Sequence, residues 1–279
     1  MTHDIADPGS PPPKIDTTRP HSARIWNYWL GGKDNYAIDR EIGDEFVAIF
    51  PAQIDIARQS RAFLGRAVRY LAGEAGIRQF LDIGTGLPTV DNTHEVAQQV
   101  APSSRIVYVD NDPLVLAHAR ALLTSSDEGS CAYIDADLRD PDTILAEAAE
   151  TLDFGQPVAL MMLGVLGHVA DEDNPEELTA SLVDALAPGS YLVINDGTNV
   201  LYGGGEMADD SARARAIRRY AEASGVPYNL RTPERIKAFF DGLDLVEPGV
   251  VSTSRWRLEP SASGPPPEVD AFCGIGRKP

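Results

Sequence analysis

The sequence predicts a three-layer α/β protein whose sheet is mostly parallel, with an antiparallel strand at the C-terminus and a helical cap at the N-terminus. Short apolar runs alternate with helical patterns along most of the chain, which is typical of a parallel sheet covered by helices on both faces. The chain ends differently, with two apolar runs separated by the loop SASGPPPEV. Two strands joined in this way indicate an antiparallel end to the sheet.

The rest of the chain is organised around the segment FLDIGTGLPT, which spans 80–89. Its apolar residues suit a buried strand, whereas Asp82 places an acid inside that strand. Gly84, Thr85 and Gly86 follow, and glycines at this spacing let the backbone turn tightly and approach a ligand closely because neither has a Cβ. This is the pattern of a nucleotide-binding loop, although Gly-x-Gly also marks an ordinary strand exit.

Each element up to the third strand has its own signal. Apolar residues at helical spacing predict the first helices. A capping box of Asn92 and Glu95 opens the helix after the Gly loop, and β-branched runs indicate strands. The predicted ranges are helices over 38–50, 59–72, 94–100 and 113–123 and strands over 80–83, 105–112 and 131–134.

The second half of the chain supplies the middle and the end of the sheet. Residues 157–169, PVALMMLGVLGHV, form a near-continuous apolar run, which predicts a central strand buried on both faces. Asn174-Pro175 and Thr232-Pro233 each combine an N-cap residue with proline at the first helical position. The remaining predicted elements are strands over 191–194, 245–252 and 271–276 and helices over 209–223 and 233–240.

Composition limits the function classes. A chain of 279 residues, 43% hydrophobic and 24% charged, predicts one globular domain with extensions. A net charge of −18 disfavours nucleic acid, whose affinity for proteins depends on Lys and Arg. Cys131 and Cys273 are isolated, and the histidines form no ligand spacing with them, so we predict no metal site. Without a membrane-length apolar run or an N-terminal targeting pattern, the sequence predicts a cytoplasmic protein with no membrane partner.

The N-terminal region divides at residue 20. Residues 1–20 are polar and proline-rich, which predicts a disordered arm, and residues 21–279 form a single domain with a helical cap over 21–75 and a core over 76–279. The stretch from Ser22 to Tyr36, SARIWNYWLGGKDNY, is rich in aromatic residues. It is either a short buried helix ending at a glycine or, as its polar end favours, a cap over a ligand site.

Acids follow the first three strands. Asp110 lies 24 residues after Gly86, close to the spacing at which a ribose-binding acid follows such a loop. Asp137 follows the third strand and is either a ligand contact or a turn residue. A dinucleotide site would have a third glycine where this chain has Thr89, and Asp82 is well placed to meet an ammonium group. These features favour S-adenosylmethionine over a nicotinamide cofactor.

The chain resembles an actinobacterial S-adenosylmethionine-dependent methyltransferase family once catalogued as a domain of unknown function. The resemblance rests on ARIWNYWLGGKDNY, RQFLDIGTGLPT, VYVDNDP, DADLRDP, LAPGSYLVI and TPERI, and it covers residues from about 19 to 279. It implies the Rossmann-like fold of class I methyltransferases. One departure is Gly167, which stands before His168 where the family often has an aromatic or aliphatic residue.

The resemblance also implies site residues. Those expected to bind the cofactor are Asp82, Gly84, Thr85 and Gly86 at the methionine end, Asp110 and Asn111 at the ribose, and Asp137 and Leu138 at the adenine. From the aromatic cap we add Tyr28, Lys33 and Asn35, because a π face attracts an adenine ring or a sulfonium cation and Lys33 can pair with a carboxylate.

The implied reaction is methyl transfer to a small-molecule acceptor. His168 is the candidate base, although a histidine near a strand end is equally often structural. The loop 195–207, with three consecutive glycines, is a mobile lid or a surface loop. Two alternatives stay open: a sensor that binds the cofactor without transferring a methyl group, and a nicotinamide-dependent oxidoreductase.

Overall fold

One mixed sheet organises the structure, a computed structural model that describes residues 16–89, 91–115, 117, 125–202, 210–259 and 264–279. Across these residues the sheet has the order β3-β2-β1-β4-β5-β8-β6, with β7 also paired to β8. Strands β1 to β5 are parallel, and β8 runs antiparallel to β5, β6 and β7. The strands are β1 (Gln79–Ile83), β2 (Arg105–Asp110), β3 (Ser130–Asp135), β4 (Ala159–Leu163), β5 (Tyr191–Gly197), β6 (Asp244–Leu245), β7 (Val251–Ser252) and β8 (Ala271–Arg277). The predicted fold class is confirmed.

Helices cover both faces of this sheet. Phe80 on β1 faces a cluster with the helices over 53–69 and 93–100, while Leu81 and Ile83 face a second cluster with the helices over 141–148, 175–184 and 233–238. The helices are α1 (Ser22–Trp29), α2 (Ala37–Ile49), α3 (Gln53–Arg69), α4 (Thr93–Val100), α5 (Pro141–Ala148), α6 (Pro175–Asp184), α7 (Ala212–Ser224) and α8 (Pro233–Ala238). In the described ranges, no helix is long and apolar enough to cross a membrane.

The apolar run at 157–169 lies in the middle of the sheet, as predicted, but only part of it is a strand. β4 pairs with β1 on one side and β5 on the other. It ends at Leu163 because Gly164 adopts a left-handed φ of +81°, and Leu166–His168 then form a short 3-10 turn. The break brings His168 back over the carboxyl end of the strand.

Two predicted elements differ from the structure. The strand over 245–252 is two short strands, β6 and β7, because Pro248 has no N–H to donate and Gly249 has a φ of +83°. The helix over 209–223 starts later, where Ser211 caps α7 by accepting a hydrogen bond from the Ala214 N–H. Of the helix predicted over 113–123, only 113–115 and 117 are among the described residues, and all four are helical.

The N-terminal helices form a layer over the carboxyl ends of the strands. Ile25 and Trp29 of α1 pack with Phe46 of α2 and Tyr220 of α7 in one apolar cluster. A buried ion pair joins Arg24 and Asp39, with 3.1 Å between Nε and Oδ2. The domain division at 20 and 75 stays a prediction; of the arm, 16–20 are described.

Candidate functional site

A cavity of about 430 Å³ lies between the α1 layer and the carboxyl ends of β1, β2, β4 and β5. In a parallel sheet this edge is where ligands bind, because the loops there diverge and leave a crevice. One half of the cavity is polar and holds the Gly84–Gly86 loop with its neighbouring acids. The other half is mainly apolar and lies under α2, α3 and α7. The volume of the whole cavity is in the usual range of small-molecule sites.

The Gly84–Gly86 loop depends on both glycines, for different reasons. Both adopt left-handed φ angles, +73° at Gly84 and +66° at Gly86. A Cβ on Gly84 would lie 2.5 Å from the side chain of Val165, so this position also requires the missing atom. The nearest atom to a Cβ on Gly86 would be Ala23 Cβ, at 3.9 Å. Gly86 therefore serves backbone conformation, while Gly84 also serves close packing of the loop against β4's exit. Thr85 lines the cavity between them.

Asp82 is the next-to-last residue of β1 and lines the cavity. It is 4% exposed, and its Oδ2 accepts a hydrogen bond of 2.6 Å from the Thr93 hydroxyl at the start of α4. Burial raises the pKa of Asp82 to about 6, against the opposing effects of the Thr93 hydrogen bond and of Arg61. A buried carboxylate of this kind favours a bound cation, because a cation restores the charge compensation that water gives at the surface.

Asp110 is held by backbone amides. Its Oδ2 accepts from the Gly86 N–H at 2.8 Å, and its Oδ1 accepts from the Asp112 N–H at 2.9 Å. These bonds bind the end of β2 to the Gly loop, in keeping with the parallel pairing of Ile83 with Val109. Burial raises the pKa of Asp110. Each carboxylate oxygen has a further lone pair for a donor such as a ribose hydroxyl.

The residues after β3 form the far wall of the polar half. Asn111 Nδ2 donates to Asp137 Oδ2 at 3.0 Å, and Arg139 binds the same carboxylate through Nε and Nη2 at 2.8 and 2.7 Å. The Arg139 hydrogen bonds lower the pKa of Asp137 to about 2. Leu138 is 6% exposed and lines the cavity with Asp137. Asp137 therefore stays ionised and fixed in place, and Leu138 supplies an apolar surface.

The three residues predicted from the aromatic cap to bind the cofactor do not reach the cavity. Tyr28 donates to Asp44 Oδ1 at 2.8 Å, Lys33 is exposed, and Asn35 donates from Nδ2 to Asn27 Oδ1 at 3.0 Å. None of the three lines the cavity. The physical reason is helical geometry: Tyr28 is on the side of α1 that faces α2, and the other two lie beyond the end of the helix.

The opposite face of α1 lines the cavity instead. It contributes Ala23, Trp26, Asn27 and Leu30, which follow the i, i+3, i+4, i+7 spacing of one helical face, and Ser22, Ile25 and Trp29 beside them also line the cavity. Asn27 is 2% exposed, and its Oδ1 accepts from both the Asp34 N–H and Asn35 Nδ2. Within the described part of the chain its Nδ2 donates to no residue, so this group of a cavity-lining side chain can donate to a ligand. This spacing was the signal that could have chosen these residues from the sequence.

His168 lies where β4 exits into the mainly apolar half. Its Nδ1 is 3.3 Å from the carbonyl oxygen of Pro227, which can only accept, so the proton is on Nδ1 and Nε2 is free to act as a base. Its ring packs edge-on against Tyr228, with 5.1 Å between centroids. Burial lowers the pKa of His168, which keeps the imidazole neutral near pH 7.

Gly167 is explained by Tyr228. A Cβ on Gly167 would lie 2.3 Å from Tyr228 Cζ, so the tyrosine ring occupies the space that a larger residue before His168 would need. The Tyr228 hydroxyl donates to Asp196 Oδ1 at 2.9 Å, and the other oxygen of Asp196 accepts from Arg231 Nη1 at 3.1 Å. Sequence reasoning missed this buried group because its members come from β5 and from the segment before α8.

The rest of the mainly apolar half comes from distant elements. Aromatic and aliphatic side chains dominate it, including Trp29, Phe46, Ile56, Leu64, Leu163 and Ile217. Its polar members include Gln53, Ser60, Asn195 and Arg213. Of the predicted lid loop 195–207, residues 203–207 lie outside the described part. The last described residues of this loop before that gap are held in place, because the Asp270 carboxylate accepts hydrogen bonds from the N–H groups of Leu201 and Tyr202.

Comparisons with known proteins agree with this geometry. A family model described as S-adenosyl methyltransferase matches residues 8–279. The crystal structure of a DUF574 family protein from Streptomyces avermitilis is 43% identical, covers 95% of this chain and 100% of that chain, and has a TM-score of 0.89. A structure from Thermobifida fusca is 41% identical, covers 96% of this chain and 98% of that chain, and has a TM-score of 0.84. No curated protein matches the chain.

Proposed function

The chain belongs to the S-adenosyl methyltransferase family, and from that premise we propose that it transfers a methyl group to a small, mainly apolar acceptor bound under α2, α3 and α7. The resemblance and the cofactor predicted from the sequence, S-adenosylmethionine, are confirmed by this membership. The observation that carries the proposal is a single cavity that joins the polar Gly84–Gly86 half to an apolar half. Such a cavity suits two ligands that react with each other.

The polar half fits the cofactor by its chemistry. Asp82 is a buried carboxylate suited to the ammonium of the methionine end, and Asp110 has acceptor capacity for hydroxyl groups. Leu138 offers an apolar surface for a base ring. The left-handed Gly86 keeps the loop between them free of side chains. We propose the same positions that the sequence predicted, Asp82, Gly84, Thr85, Gly86, Asp110, Asn111, Asp137 and Leu138, as the cofactor-binding set, and replace the cap residues by Trp26 and Asn27.

When bound, S-adenosylmethionine supplies an electrophilic methyl group. The chain's own part is to hold the acceptor nucleophile in line, to exclude water with the α1 layer, and to accept a proton where the acceptor carries one. His168 Nε2 is the proposed proton acceptor, because its imidazole is neutral and its Nδ1 is fixed by the Pro227 carbonyl. Proton transfer from an O–H or N–H acceptor then accompanies formation of the new bond to carbon.

The test is turnover. Purified protein is incubated with methyl-labelled S-adenosylmethionine and a filtered small-molecule extract, and both labelled product and S-adenosylhomocysteine are measured by mass spectrometry. We expect both to form, and both to fall with Asp110→Ala. Asp135→Ala is the matched control, because Asp135 pairs in register with Asp110 on β3 but is exposed.

The alternatives give different results. Cofactor binding without product from any extract would indicate a sensor. Binding of a nicotinamide cofactor in place of S-adenosylmethionine would contradict the proposal altogether.

A further inference from the structure

Two arginines are buried near the carboxyl end of β5, and they differ in how their charge is compensated. Arg231 is 1% exposed and lies 3.1 Å from the carboxylate of Asp196 and 3.4 Å from that of Asp171. Arg213 is 4% exposed, and no carboxylate of the described residues forms an ion pair with it. A buried cation without an anionic partner is costly, so its presence calls for an explanation.

Among the described residues, the hydrogen-bond partners of Arg213 are neutral. Its Nη1 donates to the carbonyl oxygens of Thr198 and Asp270, and its guanidinium carbon lies 5.7 Å from the centre of the Phe50 ring. Nη2 donates to no residue in the described part of the chain. The Asp270 carboxylate, which accepts from two backbone N–H groups elsewhere, and the Asp196 carboxylate act on Arg213 only through space and form no ion pair with it. Burial lowers the pKa of Arg213, in keeping with incomplete compensation of its charge.

The free side of this guanidinium lies at the cavity. Arg213 lines it, and a Cβ on Gly197 would lie 3.0 Å from Arg213 Nη2 and 3.0 Å from Tyr228 Cε1. Because Gly197 has no side chain, the guanidinium and the Tyr228 ring can both pack against the end of β5, where Arg213 and Tyr228 line the cavity. The surrounding wall is apolar and aromatic, with Ile217 one turn further along α7 and Phe46 and Tyr220 packed beside it.

We propose that the methyl acceptor is an apolar carboxylic acid whose carboxylate binds Arg213 and whose body packs against the aromatic wall. This rests on the proposed function and names its substrate class. One guanidinium matches one monoanionic carboxylate in charge and in its planar, paired hydrogen-bonding geometry. A carboxylate here would give Arg213 the partner that Asp196 gives Arg231.

The test uses a matched acid and amide, 2-naphthoate and 2-naphthamide, which differ in charge but hardly in shape. Their binding to the protein saturated with S-adenosylhomocysteine is measured by titration calorimetry at pH 7.5. We expect the acid to bind about tenfold or more tightly than the amide, which is the usual value of a charged hydrogen bond over a neutral one. In Arg213→Met the preference should fall below about twofold.

Two further variants keep the result interpretable. Arg215→Met removes an exposed arginine two residues along the same helix and should leave the preference unchanged. Arg213→Lys keeps the charge but not the planar fork, and should retain only part of the preference for the acid. This variant provides the test if Arg213→Met does not fold. Equal binding of acid and amide by the natural protein, binding of neither, or a preference that survives in a folded Arg213→Met would each overturn the proposal. S-adenosylhomocysteine affinity, measured first without probe, tests the proposed function separately.

Discussion

The two halves of the cavity are built in different ways. The polar half takes its acids and glycines from the ends of β1, β2 and β3. These strands are neighbours in the sheet and consecutive in sequence, so the place of each residue follows from strand register. The mainly apolar half takes its residues from α1, α2, α3, β5 and α7, which packing alone brings together. A site of the first kind follows from local sequence, whereas a site of the second kind depends on how distant segments pack.

The largest effect that we expect is a loss of turnover, without a loss of cofactor affinity, when a residue of the mainly apolar half is changed. His168→Ala removes the proposed base, and general base catalysis contributes about 10²-fold or more, so turnover with an O–H or N–H acceptor should fall by roughly that factor. Cofactor affinity should stay within about twofold, because His168 does not touch the Gly84–Gly86 loop. The measurement is kcat beside the calorimetric Kd for S-adenosylhomocysteine. Unchanged kcat would make His168 a packing residue.

The converse change is at Asp110. Asp110→Ala removes the carboxylate that we assign to the ribose hydroxyls, and charged hydrogen bonds contribute about 1.5–3 kcal/mol, so cofactor affinity should fall by roughly ten- to a hundredfold. Asp110→Asn should lose less, since an amide oxygen still accepts. If cofactor affinity falls less than threefold in folded Asp110→Ala, the role of Asp110 is limited to accepting the hydrogen bond from the Gly86 N–H.

The polar half should also respond to pH through Asp82. Its pKa is raised to about 6, so in the free protein the carboxylate is mostly ionised at pH 7 and mostly protonated at pH 5. A bound ammonium needs the ionised form. Cofactor affinity should therefore fall about tenfold between pH 7 and pH 5, with proton release on binding in that range.

Asp82→Asn gives the control for this dependence. It should bind more weakly at pH 7 but lose most of the change between pH 7 and pH 5. If the pH profile survives in Asp82→Asn, another group, such as Asp110 with its raised pKa, is responsible. Calorimetry in buffers of different ionisation enthalpy counts the protons directly.

The polar half of the cavity could be predicted from the sequence much better than the mainly apolar half. The Gly84–Gly86 loop, Asp82 and Asp110 were placed correctly at the cavity, because a strand, a turn and the next parallel strand fix their relative positions over about 30 residues. The mostly parallel sheet and its antiparallel end followed from the alternation of elements and the terminal strand pair, whereas the order of the strands came only from the structure. These are local or nearest-neighbour relations.

The acceptor half depended on contacts between segments far apart in the chain. Nothing near Gly167 indicates that Tyr228, some sixty residues later, fills the space beside it. Likewise, nothing around Arg213 shows that its carbonyl partners are Thr198 and Asp270. Composition identified the aromatic cap. Which residues of α1 line the cavity depends instead on the helical periodicity of this short segment, which composition does not show.

The smallest expected effect tests that last point on α1 itself. Trp26 lines the cavity and Lys33 is exposed outside it. An aromatic face near a cation or a base ring contributes about 0.5–2 kcal/mol, so Trp26→Ala should weaken cofactor binding by roughly two- to thirtyfold. Lys33→Ala should change it by less than about twofold, because an exposed charge is screened.

Fluorescence provides an independent measurement of the same contrast. If Trp26 meets the cofactor, S-adenosylhomocysteine should alter the tryptophan emission of the natural protein, and the change should shrink in Trp26→Phe. Trp256 is buried away from the cavity and should contribute little. Trp29 lines the mainly apolar half, with its Nε1–H donating to the Gly43 carbonyl, so any change that remains in Trp26→Phe is assigned to it. A tenfold loss with Lys33→Ala and none with Trp26→Ala would restore the first assignment of the cap, in which the residues after the helix bind the cofactor.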